Sequence, residues 1–215
     1  MEKMETRLAN LDILVDFLCK KPYLFGIRSS IDIFYITLGY CLCEQTNGIE
    51  NDKDLSGYFC EYIAQNLIST KANGRNWGLL ISFLSKSDEE SISMFHSLYA
   101  QYTADSKYSQ HPEKNYNNAS FKGLVLKVIE RNFINDTMAL SLFIEGYDMA
   151  AINNSINDAE YDYYREKSTE IKEGILREFK LSTSLNCMEQ ISSRYYSYPK
   201  RGLAYFISKV WGIDI

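Results

Sequence analysis

Residues 29–43 read SSIDIFYITLGYCLC, and this stretch decides how the chain folds. Ser29 or Ser30 offers a side-chain oxygen to cap a helix. Behind it Ile31, Phe34, Tyr35, Leu38, Cys41 and Leu42 recur at helical spacing on one face. Apolar residues also spread round much of the circumference, which predicts the most buried helix of the chain. Its uncharged run, Ile33–Cys43, is 11 residues long, short of the roughly 20 that a membrane span needs.

The pattern extends to both sides. Leu11, Leu14, Val15 and Leu18 predict a short helix that ends before Pro22, because the residue preceding proline is driven out of the helical region. Asp52 or Asp54 caps a third helix that turns Leu55, Phe59, Tyr62, Ile63 and Leu67 inward. Trp77–Leu84, WGLLISFL, is too short for its periodicity to separate a buried helix from a strand. Ser87 and Glu90 form a capping box ahead of Ile92, Phe95, Tyr99 and Tyr102. After the polar, aperiodic stretch 103–120 come helices marked by Phe121, Leu124, Val125, Val128 and Ile129, and by Leu140, Phe143, Ile144, Tyr147 and Ala151. A long helix with the narrow stripe Tyr164, Ser168, Ile171, Ile175 and Phe179 follows, and Leu203, Phe206, Ile207, Val210 and Trp211 mark the last. Leu38-Gly39-Tyr40 and Glu145-Gly146-Tyr147 share a pattern, too short on its own to define a repeat. The expected fold is all-α or mainly α, a multi-helix globular domain of about eight to nine helices, with residues 1–215 forming one domain and a sub-boundary at the 103–120 loop.

Composition excludes several classes. With 215 residues, 46% hydrophobic and 24% charged, the chain is neither a disordered tail nor a rod. Only 3 prolines and 11 glycines are too few to punctuate a sandwich of short strands. Met1–Asn10 lacks the apolar region of a secretory signal, and the 5 cysteines leave one without a partner. Both features lead to the expectation of a soluble, cytoplasmic protein with free thiols.

Lys20-Lys21-Pro22-Tyr23-Leu24-Phe25-Gly26, then Ser29, Ser30, Ile31, Phe34, Leu38, Gly39 and Tyr40, resembles the opening of small bacterial immunity proteins of polymorphic toxin systems. In that family a basic residue, proline, an aromatic and glycine precede a helix that ends in Gly-Tyr. Trp77 with its apolar run, and Ser87-Asp88-Glu89-Glu90 leading into Phe95, Tyr99 and Tyr102, continue the resemblance over roughly residues 14–102. It implies a non-enzymatic protein that binds and neutralises one cognate toxin in the cytoplasm, with no cofactor and no catalytic residues to carry over. The K-x-P-x-x-x-G string also occurs in the ATP-binding fold of type II topoisomerase subunits, but no Asp-x-Gly-x-Gly loop is present to cradle a nucleotide.

The charge is uneven. The chain carries −5 in all, and residues 145–178 hold nine carboxylates against four basic side chains. Within that run Asp158, Glu160 and Asp162 alternate with Tyr161, Tyr163 and Tyr164. Aromatic anchors among charges are the composition of a protein interface, so these six residues are the expected contact patch for a toxin that is itself basic. The alternative patch is Arg194, Tyr195, Tyr196, Tyr198, Lys200 and Arg201, where stacking and cationic groups would serve nucleic acid in a helical regulatory or adaptor protein. Three cations on an acidic chain weigh against that alternative.

Other chemistry has little support. Cys41 and Cys43 lie about 200° apart round one helix, so they cannot share a metal ion. His96 and His111 have no Cys or Asp at triad spacing. Glu145 with Asp148, and Asp158 with Asp162, share helix faces at spacings suited to acid and base work, for which a solvated face is the simpler reading.

Overall fold

A computed structural model describes residues 10–49, 55, 58–68, 76–105, 119–180 and 186–215. Among them are ten α-helices and no strand. None is long and apolar enough to cross a membrane. In order they are α1 (Leu11–Lys20), α2 (Ser30–Thr46), α3 (Tyr58–Ile63), α4 (Trp77–Leu84), α5 (Asp88–Ala104), α6 (Phe121–Glu130), α7 (Thr137–Asn154), α8 (Ala159–Glu178), α9 (Cys187–Arg194) and α10 (Pro199–Trp211). A 3-10 turn, Pro22–Phe25, joins α1 to α2, and a π-helical turn, Ala64–Ile68, follows α3.

The extra helix relative to expectation is α9, whose eight residues carry only Cys187, Met188 and Ile191 on its buried side. WGLLISFL is helical as α4. The π turn carries Leu67 outward, 40% exposed, against the inward placement its spacing predicts. Thr103 and Ala104 belong to α5, so the polar stretch begins later than position 103. Residues 106–118 of that stretch, with His111, and the capping candidates Asp52 and Asp54, lie outside the described residues.

The chain divides into two compact units. The first holds α1–α5 with Phe143–Ile156, which includes the larger part of α7, and the second holds α6, the first turns of α7 and α8–α10. In the first unit the core is aromatic. Trp77 stacks on Phe95 at 4.6 Å, and Phe59 meets Trp77, Phe95, Tyr99 and Tyr102 edge-on at 5.2–6.2 Å. Edge-to-face geometry places positive ring edges on negative faces and adds to burial.

The helix α2 crosses the second half of α7 at two glycines. A Cβ on Gly39 would stand 1.9 Å from the carbonyl oxygen of Phe143, and a Cβ on Gly146 would stand 1.9 Å from that of Ile36. The crossing is reciprocal, since Phe143 and Ile36 each precede their own helix's glycine by three residues. The Gly-Tyr pattern seen twice in sequence is therefore the two sides of one backbone contact.

Each unit repeats the other's internal construction. Buried Leu11, Leu14, Val15 and Leu18 of α1 correspond to Phe121, Leu124, Val125 and Val128 of α6. Trp77, Gly78 and Ile81 of α4 correspond to Cys187, Met188 and Ile191 of α9, and both helices are capped by asparagine, Asn76 and Asn186. Ile92 and Phe95 of α5 correspond to Leu203 and Phe206 of α10. One buried hydrogen bond recurs as well: Ser30 Oγ donates to the Gly78 carbonyl at 2.9 Å, and Thr137 Oγ1 donates to the Met188 carbonyl at 2.9 Å. Three helix pairs with matching buried positions, two asparagine caps and a matching buried bond from α2 and from α7 describe a duplicated five-helix unit. The third helix departs from it: among the described residues the first copy has six α-helical residues (α3) continuing into the π turn Ala64–Ile68, and the second has 20 residues of α-helix (α8). Because both hydroxyls fix a buried carbonyl, Ser30→Ala and Thr137→Val are each expected to lower stability by about 1–2 kcal/mol, measured by denaturant titration.

Candidate functional site

The start of α8 is built on carboxylates turned toward the protein. Asp158 caps it, Oδ1 accepting from the backbone N–H of Glu160 (2.9 Å) and Tyr161 (3.1 Å). Its Oδ2 accepts from the N–H of Phe121 at 2.9 Å, and Glu160 Oε2 accepts from the N–H of Lys122 at 3.2 Å. Two of the expected contact carboxylates therefore satisfy the free donors at the N-terminus of α6, where negative charge also complements the helix dipole.

The tyrosines divide by helical angle. Tyr161 and Tyr164, three residues apart, share a face and are 2% and 4% exposed. Both rings pack on Phe121, at 5.1 and 5.3 Å between centroids, and Tyr164 also faces Trp211 at 6.3 Å. Tyr163 lies off that face and is 50% exposed. The expectation of three tyrosines presented to a partner is corrected on this point, because a 3.6-residue period cannot turn all three outward. Of the six residues, Asp162 and Tyr163 are left facing away from the interior.

Beside Tyr163 opens a groove of about 500 Å³, lined by Lys122, Glu160, Tyr163, Val210, Trp211 and Gly212, with Ala159 at its edge. Beyond it Asp162, Glu166, Glu170 and Glu173 follow one another at four-, four- and three-residue steps along α8, the last three exposed. Neighbouring like charges at such spacings each cost a helix about 0.2–0.5 kcal/mol. Lys167 meets Glu170 at 3.0 Å, an exposed pair that offsets little of it.

The alternative basic patch is drawn in several directions. The Arg194 guanidinium covers the Phe179 ring at 4.5 Å, and Lys200 Nζ donates to Asn132 Oδ1 at 2.8 Å. Tyr195 is half-buried with its ring against Gly202, while Tyr196 and Tyr198 are 85% and 61% exposed. Arg201 lies over the Tyr198 ring at 4.7 Å. Arg201 and Tyr198 thus form a pair, while Arg194 and Lys200 are held by groups outside the patch.

Elsewhere, Cys41, Cys43, Cys60 and Cys187 are buried, and burial pushes the Cys19 thiol up to about 12. No three His, Cys, Asp or Glu among the described residues gather as a metal site would require. His96 Nε2 lies 3.3 Å from Asp16 Oδ1 at the surface. Glu145 is half-buried rather than solvated, and burial, with Asp148 adding to it, raises its carboxyl to about 7.

Sequence reasoning did not find Lys122, Val210 and Trp211, which reach the groove from other helices. It also passed over the outward side of α4, where Leu79, Phe83 and Leu84 are 54%, 89% and 41% exposed. The i, i+4 spacing of Leu79 and Phe83 was the available signal, hidden because the opposite side of α4 is equally apolar. Comparison with protein-family models, curated proteins and solved structures finds no match.

Proposed function

We propose that the chain is a non-enzymatic immunity protein of bacterial competition, which binds and neutralises a cognate, basic secreted toxin in the cytoplasm through the outer face of α8 and the groove beside Tyr163. The observation that carries this reading is the acidic line Asp162, Glu166, Glu170 and Glu173. Of these, Glu166, Glu170 and Glu173 stand exposed along α8 at three- and four-residue steps. A row of carboxylates steers a basic partner and sets its register, while the exposed Tyr163 ring beside an open groove supplies the anchor. The resemblance of residues 14–102 to the immunity family supports the same reading from the other half of the chain.

The test applies where a large secreted protein with a variable C-terminal domain is encoded beside this gene, and it uses that domain. Co-expression of the present chain rescues cells from that domain. Glu166→Lys, Glu170→Lys and Glu173→Lys together lower the association rate at least about tenfold at low salt, read by surface plasmon resonance. Failure to rescue would refute the function, whereas rescue with an unchanged association rate would refute only the assignment of α8. The alternative patch is checked by a gel shift with single-stranded RNA, for which the basic-toxin reading expects no complex at low salt.

A further inference from the structure

We infer that the outward side of α4 is a self-association surface, on which a second copy of this chain packs its own α4 in the antiparallel sense. This goes beyond the toxin-binding reading and does not depend on it.

The duplicated unit supplies an internal control. In α9, the counterpart of α4, the residues equivalent to Leu79, Phe83 and Leu84 are Glu189, Ser193 and Arg194, while the buried sides correspond. The fold therefore accepts polar side chains at these positions. Leu79 and Phe83 are one turn apart on the same face, so their exposure is a continuous apolar strip rather than scattered single residues. Such a strip has no role inside the unit that its twin does without.

Geometry and charge favour a second copy as the occupant. About a two-fold axis at the middle of α4, Leu79 of one copy meets Phe83 of the other and the reverse, so the strip is complementary to itself, as an isologous contact requires. Antiparallel pairing also sets the positive N-terminal end of each α4 near the residues that follow the partner's C-terminal end. In sequence these are Lys86, Asp88, Glu89 and Glu90, of net negative charge, with Asp88 and Glu89 exposed at the start of α5. A helix N-terminus facing carboxylates is a favourable electrostatic match.

The substitutions Leu79→Glu and Phe83→Ser place on α4 what α9 carries, so they should leave the fold intact. By light scattering after size exclusion, at roughly 100 µM, a dissociation constant well below that concentration gives the unaltered chain twice the monomer mass. The double variant has the monomer mass with unchanged circular dichroism. If the double variant loses helicity, Phe83→Ser alone, at a side chain 89% exposed, carries the same expectation. Asp88→Asn with Glu89→Gln weakens the dimer several-fold. A monomeric unaltered chain would overturn the inference, and so would a dimer that survives both α4 variants. Loss of toxin binding in a double variant whose parent is monomeric would assign the strip to the toxin instead, and also overturns it.

Discussion

Gly39→Ala lowers the stability of the folded chain by at least about 3 kcal/mol, which for a chain of this size lowers Tm by roughly 6–12 °C. The added methyl would stand 1.9 Å from the carbonyl oxygen of Phe143, and its other near neighbours, the Phe143 carbonyl carbon and the Tyr147 nitrogen, are also backbone. No rotamer change can relieve such a contact, so α2 and α7 must separate along the crossing. Alanine's better helix propensity returns only about 1 kcal/mol. Gly146→Ala, against Ile36, has an effect of the same size, and the double variant is less than additive because both separate the same helices. Gly174→Ala is the control. It lies in α8 with no atom within 4 Å of the added carbon, and the same substitution there raises stability by about 0.5–1 kcal/mol. Thermal melting of the three variants checks both signs.

After the two glycine substitutions, Asp158→Ala is expected to be the next most damaging change, at about 2–3 kcal/mol. One carboxylate there serves three backbone donors on two helices, those of Glu160, Tyr161 and Phe121. Loss of an N-cap costs about 1 kcal/mol, and the Phe121 donor left without its acceptor adds about 1–2 kcal/mol. Asp158→Asn keeps one acceptor oxygen and retains the α8 cap, so it recovers part of the loss. If Asp158 acted only as an exposed contact residue, both substitutions would leave the urea midpoint unchanged. Toxin binding measured on Asp158→Ala therefore reports the integrity of the α6–α8 junction, and the outer carboxylates of α8 give the cleaner reading of the interface.

The helical class was legible because α1, α2, α5, α6 and α10 carry apolar stripes at helical spacing, and the first four of these also carry their own side-chain caps. Ser87 and Ser120, for example, accept from the backbone N–H three residues on, at 3.1 and 3.4 Å. The helix α9 was not legible, since eight residues with three apolar positions give little periodicity. At the candidate site, the sequence located the acidic and aromatic run but not its orientation. Whether Asp158 meets solvent or the N–H of Phe121 depends on a partner 37 residues away, and Lys122 and Trp211 enter the groove from equally distant positions. The duplication was faint for a related reason: the copies keep the burial pattern while changing Trp77 to Cys187 and Ile92 to Leu203, so burial is retained where identity is not.

The reciprocal glycine notch also orders events during synthesis. The first unit takes in Phe143–Ile156, which leaves the ribosome after α6 has been made. At about 5–20 residues per second, the roughly 50 residues from the end of α5 to the end of that segment take about 3–10 s to emerge. Throughout that interval α1–α5 lack the backbone that fills the Gly39 notch, and the apolar surface of α2 around it stands open to other nascent chains. Translation speed over residues 105–156 is thus a determinant of yield, and slowing it there lengthens the exposure of α2.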